Sequence, residues 1–102
     1  DATVTPLGPL FTAWCAVNRL TASGRVQGKE ERITIENAMY AITLGAAYTL
    51  HMDDEVGSLE TGKRADFAIL EEDPYLCDPD ELKNVKVWGT MQGGRVFDAK
   101  NL

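Results

Sequence analysis

A short apolar run between turn residues predicts β-structure in the second half of the chain. Gly57 and Gly62 are turn residues, residues 65–70 read Ala-Asp-Phe-Ala-Ile-Leu, and Pro74 follows shortly after. A short apolar run bounded by turn residues predicts a buried β-strand. Because a strand must pair with others, the fold has to contain or join a β-sheet.

Two further strands are predicted directly downstream. Residues 85–92 alternate apolar and polar side chains with period two, which is typical of a strand. Gly93 and Gly94 precede Arg-Val-Phe and predict a tight hairpin, because glycine supplies the positive φ of a two-residue turn. Residues 78–82 predict a single helical turn. Three strands are few for an independent sheet, which indicates that a partner segment is missing.

The first half of the chain is predicted to be helical. Residues 10–20 repeat apolar side chains at spacings of three and four, with Pro9 placed as the first residue of that helix. Residues 21–32 are polar and predict an exposed loop. Thr34 is predicted to cap a second helix. Gly45 is expected to interrupt or end that helix, with a short one continuing over residues 46–50.

Composition excludes several classes of function. The 102 residues suit one small domain, and the net charge of −6 argues against nucleic-acid binding. The chain contains no run of about 18 apolar residues, so no membrane span is predicted, and no secretory signal is visible. Cys15 and Cys77 are predicted to be reduced thiols in a cytoplasmic protein. The start of the sequence at Asp1 is expected to reflect processing, truncation or an incomplete chain.

Several blocks in a fixed order resemble the amidohydrolase superfamily. They are residues 1–10, 14–19, 33–38 with 43–47, 57–74 and 87–97. The order and spacing are closest to the amidohydrolase family three branch, which includes N-substituted formamide deformylase-like enzymes. The resemblance implies an α/β fold, the C-terminal fragment of a TIM-barrel amidohydrolase. Residues 1–52 would be the end of the barrel, with its last loop and helices, and residues 53–102 part of the small β-sandwich domain.

The resemblance also implies a catalytic residue and a metal. Asp1 matches the superfamily aspartate at the end of the eighth barrel strand, which contacts the catalytic metal and shuttles protons. Thr3 and Thr5 are weaker candidates for substrate contacts. The parent is expected to hydrolyse a C–N bond of an amide or formamide with water activated by a divalent metal, expected to be zinc.

The sequence departs from the superfamily pattern where most metal ligands would be. The His-x-His motif, the bridging lysine and the later histidines are absent, and His51 is expected to be a surface or capping residue. The chain alone is therefore expected to bind no metal and to be inactive. Four other polar sites are expected to be structural: Asp66 and Asp73 as partners of turn amides, and Lys63 and Arg64 as an exposed turn. Trp14 and Trp88 are expected in a core or a domain interface.

Several alternatives stay open at the level of sequence. Another amidohydrolase activity is possible, such as a cyclic amidase, a deaminase or a D-aminoacylase. A non-catalytic packing or self-associating module is the alternative from a different class. Expected partners are a small amide-type substrate in the parent and either the upstream part of the same enzyme or a second copy joined through exposed edges. Neither nucleic acid nor membrane is expected as a partner.

Overall fold

A computed structural model describes residues 8–21 and 23–101 of the chain. Helices occupy the first half and strands the second, as predicted. The α-helices are α1 (Pro9–Asn18), α2 (Ile35–Ile42) and α3 (Leu44–Thr49), and the strands are β1 (Phe67–Leu70), β2 (Val87–Gln92) and β3 (Arg95–Asp98). Short 3₁₀ helices span Lys29–Glu31, Pro79–Asn84 and Ala99–Asn101. In the described part of the chain, no helix is long and apolar enough to cross a bilayer.

Helix α1 begins where the sequence predicts and ends two residues early. Gly8 is extended and Pro9 takes the first helical position, where its missing N–H costs no hydrogen bond. Arg19 turns into the left-handed region at φ 56°, and its N–H donates to the carbonyl of Cys15. This left-handed residue stops the helix at Asn18.

Helices α2 and α3 follow the predicted cap but break at a different residue. The Thr34 hydroxyl accepts a hydrogen bond from the N–H of Asn37 at 3.1 Å, which confirms the N-cap. The break lies at Thr43, not at Gly45: the Thr43 hydroxyl donates to the carbonyl of Met39 at 2.6 Å, and its ψ of −96° leaves the helical range. Gly45 lies inside α3, where a Cβ would come within 3.1 Å of the Tyr40 carbonyl oxygen.

The three strands form one antiparallel sheet in the order β1-β2-β3. Gly93 and Gly94 take φ values of 57° and 83°, which confirms the predicted tight hairpin between β2 and β3. Strand β1 was predicted to be buried, and this is wrong. It is an outer strand of the sheet, with Ala68 exposed and its other side chains half-buried.

One core joins α1 and α2 to the 3₁₀ helix Pro79–Asn84. It contains Ala13, Trp14, Ala38 and Leu82, and the last of these has no exposed surface. The indole Nε1 of Trp14 donates to the carbonyl of Asp80 at 2.9 Å, so α1 is tied to the 3₁₀ helix Pro79–Asn84. Trp14 is therefore a core residue as predicted. The side chain of Trp88, at 39% exposure on β2, does not belong to this core.

Candidate functional site

The residues predicted to carry chemistry lie outside the part of the chain that the structure describes. Asp1, Thr3 and Thr5 all precede Gly8, the first described residue. Gly8 and Pro9 line a groove between α1, α2 and the sheet. This groove is therefore the part of the described structure that follows the predicted site residues most closely along the chain.

Two connected grooves separate the helices from the sheet. The larger, here called the β1 groove, has a volume of about 580 Å³, and the smaller, the α1 groove, has about 450 Å³. The two share five lining residues: Met39, Ile42, Thr43, Ala68 and Leu70. The shared residues come from α2, from the residue after it and from β1, so the grooves form one continuous cleft.

The walls of this cleft are mostly apolar. In the β1 groove the polar lining residues are Thr43, Ser58 and Asp66, and in the α1 groove they are Thr43 and Lys83. No sequence pattern indicated this cleft, because its walls come from segments far apart in the chain. Such walls suit apolar surface better than a charged ligand, because a charge placed there would lose its hydration.

A polar cluster of Ser58, Glu60 and Lys63 lies at the edge of the β1 groove. The Lys63 ammonium donates to the Ser58 hydroxyl oxygen at 2.8 Å and lies 3.0 Å from the Glu60 carboxylate. The Ser58 hydroxyl in turn donates to Glu60. Lys63 was predicted to lie in an exposed turn, but its side chain is only 13% exposed, because it folds back onto these two partners.

This cluster has a structural role and not a catalytic one. The hydrogen bond from Ser58, and then the hydrogen bond and charge of Lys63, lower the pKa of the Glu60 carboxyl from its ordinary value of 4.5. A carboxylate with a lowered pKa is a poor base toward a serine hydroxyl. Lys63 also donates to Ser58 and so does not accept its proton. The cluster holds the turn after Gly57 in place and does not activate a nucleophile.

The two aspartates that flank β1 act as turn partners, as predicted. The Asp66 carboxylate accepts a hydrogen bond from the N–H of Gly93 at 2.7 Å, which ties the β2–β3 turn to the start of β1. The Asp73 carboxylate accepts from the N–H of Tyr75 at 2.9 Å. Each carboxylate therefore satisfies a backbone donor of a turn.

The remaining ligand-type side chains are dispersed. His51 is exposed just after α3, with φ 58°, and its N–H donates to the carbonyl of Tyr48, as expected of a residue that ends a helix. Cys15 and Cys77 are both free and half-buried, and desolvation raises the pKa of the Cys77 thiol. Within residues 8–21 and 23–101, no three or more His, Cys, Asp or Glu side chains cluster to hold a metal ion.

Comparison with known proteins decides the family. The family described as "Amidohydrolase family" matches residues 1–98, almost the whole chain. The chain belongs to the amidohydrolase family. The resemblance on which the sequence interpretation depended is therefore confirmed.

Relatives of this amidohydrolase chain are named for different activities. An N-substituted formamide deformylase of Arthrobacter pascens is 34% identical over 86 residues, which are 84% of this chain and 16% of the relative. An imidazolonepropionase of Picrophilus torridus is 46% identical over 71 residues, 69% of this chain and 18% of the relative. An imidazolonepropionase of Bacteroides fragilis is 36% identical over 66 residues, 65% of this chain and 16% of the relative. No solved structure matches the chain significantly.

This amidohydrolase chain thus spans about one sixth of the length of the curated relatives it matches. Its mixed helix and strand structure is consistent with a fragment of such an enzyme. The described residues contribute packing surfaces, capped helices and a sheet. They do not bring together a set of catalytic groups.

Proposed function

We propose that this chain is the C-terminal part of a metal-dependent amidohydrolase that hydrolyses the C–N bond of an amide or formamide. The observation that carries the proposal is the family match over residues 1–98, together with the deformylase relative that aligns over 84% of the chain. A small amide-type molecule would be the substrate of the parent enzyme.

Within that parent, residues 1–52 would close a TIM barrel with its last loop and helices, and residues 53–102 would add strands to a small β-sandwich domain. The open outer edge of β1 supports this arrangement, because a sheet of three strands gains stability from further strands. The free thiols of Cys15 and Cys77 suit a reducing compartment, and we propose a cytoplasmic location.

A divalent metal, with zinc as the proposed ion, is implied by the family and not by the described residues. A catalytic zinc site needs about three protein ligands, and the described part of the chain contains no cluster of that size. The ligands would have to come from the rest of the parent together with Asp1. We therefore expect the 102-residue chain alone to be inactive.

The role proposed for Asp1 is that of a proton shuttle. A carboxylate near the attacking water can accept its proton and return that proton to the leaving nitrogen, and general acid–base catalysis of this kind contributes about 10²- to 10⁴-fold. Thr3 and Thr5, which follow closely, are proposed as minor contacts to the substrate.

The test is a kinetic comparison in the complete protein that contains these residues. The enzyme is assayed for formate release from an N-substituted formamide, with Asp1→Asn and Asp54→Asn as matched variants. Asp54 is exposed in the turn after α3. Asp54→Asn therefore removes the same charge at a position for which no role in the reaction is proposed. We expect kcat to fall about 10²- to 10⁴-fold for Asp1→Asn and to stay unchanged for Asp54→Asn.

Equal activity of the two variants would refute the shuttle role of Asp1. Absence of C–N bond hydrolysis by the complete protein, with metal supplied and a range of amides offered, would refute the activity and favour a packing module.

The second candidate is a different activity within the same family. The imidazolonepropionase relatives reach 46% identity over a shorter stretch than the deformylase, so identity alone does not choose between them. Parallel assays with an N-substituted formamide and with imidazolonepropionate separate the two. Turnover of only the second compound would favour the imidazolonepropionase alternative.

A further inference from the structure

We draw no further inference here: the strongest candidate, the apolar cleft between α2, α3 and the outer strand β1, carries nothing further, because the described residues do not show what covers it and the open edge beside it is already proposed to receive further strands of the parent enzyme.

Discussion

Replacing Trp14 with phenylalanine tests whether α1 and the 3₁₀ helix Pro79–Asn84 share one core. The Trp14 indole donates to the carbonyl of Asp80 at 2.9 Å, and Lys83 Nζ lies 4.2 Å from the ring centre. Phenylalanine keeps an apolar ring but offers no donor and a smaller surface. The substitution therefore weakens the contact between α1 and the 3₁₀ helix Pro79–Asn84.

Three losses contribute to the expected effect of Trp14→Phe. A lost hydrogen bond costs about 1 kcal/mol. Two fewer buried ring carbons cost about 1.5 kcal/mol at roughly 0.8 kcal/mol per carbon. A weaker contact with the exposed Lys83 ammonium costs about 0.5 kcal/mol at most. The free energy of unfolding is thus expected to fall by about 3 kcal/mol, a large share of the roughly 5–15 kcal/mol of a typical domain.

Urea denaturation followed by far-ultraviolet circular dichroism measures this change. Trp88→Phe is the matched control, since Trp88 is exposed on β2 and should change stability by no more than about 0.5 kcal/mol. Trimethylamine N-oxide, added equally to all samples, keeps a weakened variant in the measurable range. Equal effects of the two substitutions would refute the reasoning, because Trp14 would then not anchor the core.

Two further predictions concern the sheet and the turn before it. Gly89→Ala places a Cβ against the Phe97 carbonyl oxygen and should lower the free energy of unfolding by about 1–3 kcal/mol. Thr90→Ala, at an exposed position on the same strand, is the control, and an equal loss in urea midpoint would contradict the steric account. The pKa of Glu60 is lowered chiefly by its Ser58 hydrogen bond, so that interaction stabilises the fold above pH 4.5 and is lost as pH falls through the lowered pKa. Glu60→Gln should therefore be less stable than the unmodified chain at neutral pH, with the gap closing in acid, and a gap that does not vary with pH would exclude this cause.

Signals that depend on a few neighbouring residues predicted the local structure well. Pro9 starts α1, Thr34 caps α2, and Gly93 with Gly94 turns the hairpin, because each acts through its own backbone preference. The exposure of β1 could not be predicted in this way. Which strand lies at the edge of a sheet is decided by strand order and by what packs on the faces, and four apolar residues do not encode that.

The candidate site was less predictable than the fold. Asp1 was assigned through family resemblance and lies outside the described residues, so its role stays a prediction. The apolar cleft lies between α2, α3 and β1. These segments are far apart in the chain, and no single sequence motif predicts how they pack together. The near-burial of Lys63 likewise depends on a side chain folding back onto Ser58, which its position in a turn did not indicate.

The most direct test of the central claim is to read the coding DNA upstream of the codon for Asp1. If the chain is the C-terminal part of an amidohydrolase, a continuous reading frame of several barrel strands precedes it and encodes a His-x-His motif. A start signal immediately upstream of Asp1, with no such frame before it, would contradict the account and remove the catalytic role proposed for that residue.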